Sequence, residues 1–247
     1  MRIALLADVH ANREALSACL AHAARCGAEH YVFLGDLVGY GADPEWVIDA
    51  IMERVRQGAV VVLGNHDQAA AHEPASGMRA DIRRVLAWTR AQLGPARLEF
   101  LRDLPLTAEE GGRLYAHANA YAPDRWGYVL GTVDAARSLR ATRCAYTFCG
   151  HVHTPTLFHM GADARASRFE PVPGTAIPLG KLRRWLIIPG SVGQPRDGIP
   201  AACYALFDDA AATLTFFRVP YDIESAAGKI RAAGLPPSLA TRLETGL

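Results

Sequence analysis

The N-terminal stretch of the chain holds three short apolar runs of β character, Ile3–Ala7, His30–Leu34 and Ala59–Leu63, separated by two stretches of helical periodicity. Strands joined through helices run parallel, because the crossover must carry the chain back to the same edge before the next strand begins. The first helical stretch starts at Asn12, whose side chain can cap it, and repeats Ala15, Leu16, Cys19, Leu20 and Ala23 on one face. In the second, Asp43 stands as N-cap ahead of Pro44 in the first turn, and Val47, Ile48, Ile51, Met52 and Val55 continue one apolar stripe. Repeated βαβ units and a mostly parallel sheet are expected for this half.

Met78–Leu101 then reads as helical with a break at Gly94 and Pro95, followed by a strand at Arg113–Ala116, a helix around Val133–Arg140 and a strand at Ala145–Cys149. Beyond His151 the pattern changes. Thr156–Met160, Arg184–Ile188, Ala202–Phe207 and Thr213–Val219 are β-like and separated by segments rich in Gly and Pro, so this half is expected to be mainly antiparallel. Gly161–Lys181 has little periodicity and reads as a long loop or irregular hairpin. Asp222–Ala233 and Pro237–Glu244 read as terminal helices. A chain of 247 residues fits one α/β domain, 1–247.

Composition narrows the function classes. With 26 basic and 25 acidic residues, the chain lacks the positive field on which nonspecific nucleic-acid binding relies, so no extensive nucleic-acid binding is expected. Its five cysteines are odd in number and show no CxxC pair, which suggests neither a disulfide framework nor a thiolate zinc site and fits a cytoplasmic protein. The run Met1–Ala7 is broken by Asp8 before a signal-peptide core or a membrane span is complete, so neither secretion nor membrane association is expected.

Metal-binding side chains stand just after the proposed strands. Asp8 and His10 follow the first, Asp36 the second, Asn65, His66 and Asp67 the third, and His117, His151 and His153 end later ones. The carboxyl ends of strands in an open α/β sheet form the ligand crevice, so one crevice could collect them all. Carboxylate and imidazole suit a divalent transition metal such as Mn, Fe or Zn. The two-residue spacing in DVH and GHVH sends both side chains the same way from an extended segment, and glycine before Asp36, Asn65 and His151 lets the backbone turn sharply. Each motif alone is a plausible turn or cap; all of them at strand ends point to a metal site. His22, His30, His72 and His159 match no motif and stay outside it.

The ordered set DVH, GDLVG, GNHD, AHAN and GHVH resembles the calcineurin-like metallophosphoesterase superfamily, and the segment Pro189–Gly198, PGSVGQPRDG, looks like a bacterial branch related to diadenosine tetraphosphatases and protein phosphatases. The resemblance implies a calcineurin-like β-sandwich of mixed sheets flanked by helices. It implies two divalent metal ions, one held by Asp8, His10, Asp36 and His153, the other by Asp36, Asn65, His117 and His151. Such a pair, about 3.5 to 4 Å apart, lowers the pKa of a bridging water from roughly 15.7 toward 7 and supplies hydroxide to attack phosphorus in line. His66 is placed on the substrate side, stabilising the transition state or protonating the leaving oxygen, while Asp67 would either orient His66 or anchor its own loop.

Protein serine/threonine phosphatases commonly read GDxVDRG and GNHE, whereas Gly39, Tyr40, Gly41 and Asp67 stand here. A small phosphorylated, nucleotide-type substrate is therefore expected ahead of a phosphoprotein, with Tyr40 and Tyr121 placed to stack on a base and Gln194 and Arg196 to reach remote phosphates. The non-enzyme alternative is a metal-binding interaction scaffold, which the complete ligand set argues against.

Overall fold

The computed structural model describes residues 1–72 and 80–247. It is an α/β arrangement of two six-stranded mixed sheets flanked by helices. The N-terminal half runs β1 (Arg2–Leu6), α1 (Arg13–Arg25), β2 (His30–Phe33), α2 (Pro44–Arg56), β3 (Val60–Val61), α3 (Asn65–Ala71), α4 (Ala80–Gln92), α5 (Pro95–Arg102), β4 (Thr107–Glu110) and β5 (Arg113–Ala116). Then follow α6 (Thr132–Arg140), β6 (Tyr146–Phe148), β7 (Thr156–Met160), β8 (Ala166–Phe169), β9 (Ala176–Pro178), β10 (Arg184–Ile188), β11 (Ala202–Asp208), β12 (Thr213–Val219), α7 (Ile223–Ala232) and α8 (Pro237–Thr245). The start of the expected helix at Met78 lies outside the described residues.

The first sheet has the order β3-β2-β1-β11-β12-β9 and the second β4-β5-β6-β10-β7-β8. β1, β2 and β3 pair in parallel, as their helical crossovers require, and β11 adds antiparallel to the other edge of β1. Along β1 the parity of strand side chains sorts the core. Ile3 and Leu5 face the second sheet and meet Phe148 and Ile187, while Ala4 and Leu6 face α1 and α2 and meet Leu16 and Ile48. Burial on both faces explains why the run is apolar throughout rather than alternating.

Two expectations are corrected. Of the two readings of Gly161–Lys181 the long loop is overturned and the hairpin holds in part: β8 closes a hairpin with β7 in the second sheet, and β9 pairs with β12 in the first, so the segment crosses between sheets. The third strand is shorter than Ala59–Leu63, because after Val62 donates to the Phe33 carbonyl, Leu63 turns away and donates to Pro105. The expected caps divide. Asn12 accepts from the Ala15 amide, whereas Asp43 makes no side-chain cap bond and takes Lys229 of α7 instead. Among the described residues no helix is long and apolar enough to cross a membrane.

Candidate metal centre

The turns leaving β1 and β2 are zipped together by their backbones. The Asp8 amide donates to Gly35, and the His10 amide donates to Asp36. The ligand-bearing residues are not extended, as their spacing suggested. Asp8, His10, Asp36, His151 and His153 have φ of 54, 49, 53, 68 and 66°, a left-handed conformation that bulky L-residues adopt only where the surroundings enforce it. Neighbouring turns enforce it here. The Asp8 carboxylate accepts from the His151 amide at 3.0 Å, and Asp36 Oδ1 accepts from the His66 amide at 2.8 Å. Gly64 has to be glycine, because a Cβ there would lie 2.1 Å from the Asp36 amide nitrogen.

Two groups of side chains converge. Ligand atoms of Asp8, His10, Asp36 and His153 lie within 4.8 Å of one another, as do those of Asp36, His117 and His151, and Asp36 belongs to both. All six residues are buried. Asn65 Oδ1 is 3.1 Å from His117 Nε2, which sets it beside the second group. His66 lies against His10 with ring centroids 5.0 Å apart, outside both groups.

The imidazole tautomers test whether a cation fits. Nδ1–H of His10 donates to Val38, that of His117 to Leu34 and that of His153 to Gln194, at 3.2, 2.8 and 2.6 Å, all backbone carbonyls. A ring nitrogen that donates in this way turns the other nitrogen into an inward-facing acceptor. His10 Nε2 and His153 Nε2 then face each other at 3.1 Å, and His117 Nε2 faces His151 Nδ1 at 3.0 Å. Lone pairs directed at one another in a buried space need positive charge between them, and a divalent cation with oxygen and nitrogen ligands meets that need. The residues could hold a divalent metal ion.

Without a cation, a proton on His117 supplies part of that positive charge. Burial pulls the His117 imidazole down, but Asp36, 3.4 Å away, and then Asp8 outweigh it and lift it to about 9. Burial would raise Asp36, but His117, His66 and His10 hold it well below the ordinary carboxylate range. Asp8 goes the other way, pushed up to about 8 by burial, with His117 opposing and Asp36 adding to the rise. His10, His153 and His66 are lowered, first by burial, and so are neutral at pH 7.

The remaining sequence candidates divide. Asp67 does not orient His66. Its oxygens accept from the amides of Leu37, Val38 and Gly64, so it anchors the loops after β2 and β3. Tyr40 packs on His10 and His66 at 4.5 Å each, and the Arg196 guanidinium lies 5.9 Å from its ring centroid. Gln194 contributes through its backbone carbonyl to His153 and through Oε1, which accepts from Arg196. Tyr121 is turned elsewhere, its ring covered by Arg137 at 3.9 Å. The aromatic residue at that side of the cluster is Tyr128, 47% exposed, stacked on His151 at 4.0 Å. Trp126 sits edge-on to His117 at 5.8 Å and donates to Gln68. Sequence reasoning missed both, although WGY follows AHAN within a dozen residues.

Residues 1–211 match the model of the calcineurin-like phosphoesterase superfamily domain. An uncharacterized protein of Methanocaldococcus jannaschii is 34% identical over 99% of this chain and 98% of its own length. A metallophosphoesterase structure from Sphaerobacter thermophilus is 36% identical, covers 100% of this chain and 99% of its own, and superposes with a TM-score of 0.88. A structure from Pyrococcus horikoshii, 22% identical, covers 100% and 98% with a TM-score of 0.81, a likeness of fold.

Proposed function

This chain belongs to the calcineurin-like phosphoesterase superfamily and is a phosphoester hydrolase, and on that premise we propose that it cleaves phosphate ester or anhydride bonds of small nucleotide-type substrates with a dinuclear centre. The observation that carries the reading is the pair of ligand groups sharing Asp36, with their inward ring nitrogens fixed as acceptors by backbone carbonyls. Asp8, His10, Asp36 and His153 would hold one ion, and Asp36, Asn65, His117 and His151 the other, with Mn, Fe or Zn suited to this donor set. Bound there, such ions supply Lewis-acid charge to phosphoryl oxygens and acidify water.

The chain's own residues do the rest. Arg196 is held by Gln194 and Tyr40, and its guanidinium offers a planar two-pronged grip on phosphate oxygens. His66, whose imidazole is lowered first by burial, would stabilise the transition state or protonate the leaving oxygen. Tyr40 and Tyr128 lie on opposite groups of the cluster, packed on His10 and His151 respectively, and restrict what reaches it. Gly39 is filled in front by His66, whose Nδ1 would be 2.6 Å from an added Cβ, so the position that carries a charged side chain in protein phosphatases has no room for one here.

The test compares kcat/KM for diadenosine tetraphosphate, bis-p-nitrophenyl phosphate and a phosphothreonine peptide in Mn buffer, with Arg196→Ala alongside. The nucleotide is expected to be favoured, and its advantage to fall in the variant. Preference for the peptide would overturn the substrate assignment, and inactivity on all three with metal bound would overturn the enzyme reading in favour of a scaffold.

A further inference from the structure

A groove of about 340 Å³ opens beside the cluster, within the size range of small-ligand sites, about 300 to 1,000 Å³. Tyr40 and Arg196 form its inner end, Val85 of α4 and Leu239 of α8 line it, and Ser238 and Arg242 of α8 add polar atoms. The superfamily model ends at residue 211, so the α8 wall comes from the part of the chain that the model does not cover.

Both arginines carry charge without an acidic partner among the described residues, and in each case the neighbouring acid is already taken. Asp197, beside Arg196, pairs with Arg218, and Glu244, on the same helix as Arg242, pairs with Arg231. Arg196 Nε is buried with no hydrogen-bond partner. Two guanidinium groups without acidic partners among the described residues, on a partly apolar groove, fit a ligand with anionic groups on an apolar body. The side of the cluster is also defined, since Tyr40 at the groove's inner end packs directly on His66, the residue assigned to the leaving oxygen.

We propose that this groove is the leaving-group subsite and takes a nucleoside phosphate. Its phosphates would be gripped by Arg196 and Arg242, and its base would lie against Val85 and Leu239. The proposal rests on the hydrolase reading above and deepens it. The bond broken is that between the scissile phosphorus and the oxygen of the nucleoside phosphate; water supplies the new oxygen, and its proton ends on the departing group or in solvent.

The first measurement is calorimetric titration of metal-free protein, in EDTA, with adenosine 5′-diphosphate, which reads the groove without catalysis. Binding is expected in the wild type, weaker by about tenfold in Arg242→Gln, because one charge-assisted contact at an exposed position is lost, and largely restored in Arg242→Lys. Arg242 is exposed on α8, so the substitution does not threaten the fold. The second is the ratio of kcat/KM for diadenosine tetraphosphate over bis-p-nitrophenyl phosphate, expected to fall about tenfold in Arg242→Gln. Hydrolysis of bis-p-nitrophenyl phosphate with no nucleotide binding and an unchanged ratio would overturn the subsite and leave the hydrolase reading standing. Arg242-dependent nucleotide binding by a protein inactive with every metal would support the subsite and sink the hydrolase reading.

Discussion

Four of the histidines at the cluster look alike in sequence but not in their hydrogen bonds. Nδ1 of His10, His117 and His153 donates to a backbone carbonyl, whereas Nδ1 of His66 is buried without a partner. Carbonyl-oriented rings are built to ligate, and His66 is not among them. His66→Asn is therefore expected to keep its metal content and to lose about 10² to 10⁴ in kcat, with a smaller loss on p-nitrophenyl esters than on alkyl ones; loss of a metal equivalent would make His66 a ligand. Metal uptake itself should move protons. Asp8, lifted to about 8, and His117, lifted to about 9, are largely protonated at pH 7 in the cation-free chain, and a cation must displace those protons. As pH rises their protonated fraction falls, so apparent metal affinity should rise with pH and level off above about 9. Calorimetry in two buffers of different ionisation heat checks this, and equal heats in both would refute it. The ligand positions were legible because each is a polar residue placed directly after an apolar run. Tyr128 was not, because its contact with His151 depends on how the loop after β5 folds back over the turn after β6, and no local pattern separates it from Tyr121.

The elements that carry the site are legible where a single face decides them. The helix α1 announces itself by a cap and an apolar stripe, and α2 by Pro44 in its first turn and an apolar stripe. The strands β4, β8 and β9 do not. They sit at sheet edges, are short and partly polar, and are made strands by their partners, β4 and β8 by the hairpins with β5 and β7 and β9 by the distant β12. The segment Pro189–Gly198 shows the opposite case, where a sequence motif is visible but its role is not. It underlies the β1 turn, with the Gly193 amide donating to Asp8, Ser191 Oγ donating to the same carbonyl, and the Gln194 carbonyl fixing His153. A Cβ on Gly193 would lie 1.9 Å from the Val9 carbonyl oxygen, a backbone atom that cannot swing away. Gly193→Ala is expected to destabilise the fold by about 1 to 3 kcal/mol through overpacking and to weaken metal binding by displacing Asp8 and His153 together. Gly180→Ala, where an added Cβ meets nothing within 4 Å, is the control, and equal denaturation midpoints and metal affinities for the two variants would count against this account.

At the scale of the whole molecule, the cluster lies where the two sheets meet. Asp8, His10, Asp36 and Asn65 come from the ends of β1, β2 and β3 in the first sheet, and His117, His151 and His153 from the ends of β5 and β6 in the second. The candidate ligands therefore also join the sheets. Without cations the junction buries Asp8 and Asp36 among facing imidazoles with only protons in place of the ions, an arrangement whose desolvation opposes folding. Ions that bind the folded chain and not the unfolded one stabilise it by RT ln(1 + [L]/Kd), about 2.7 kcal/mol at a hundredfold excess over Kd. For a chain of this size each kcal/mol moves Tm by roughly 2 to 4 °C, so chelation should lower Tm by about 5 to 11 °C. Asp36→Ala removes the carboxylate common to both groups, so its Tm should respond little to metal or chelator, and its hydrolysis should be nearly abolished. The decisive comparison is the chelator-induced shift in the wild type against that in the variant, by calorimetry or dichroism. A variant with an undiminished shift would place the stabilising ion elsewhere, and a wild type with no shift would mean that the two sheets hold together without the centre between them.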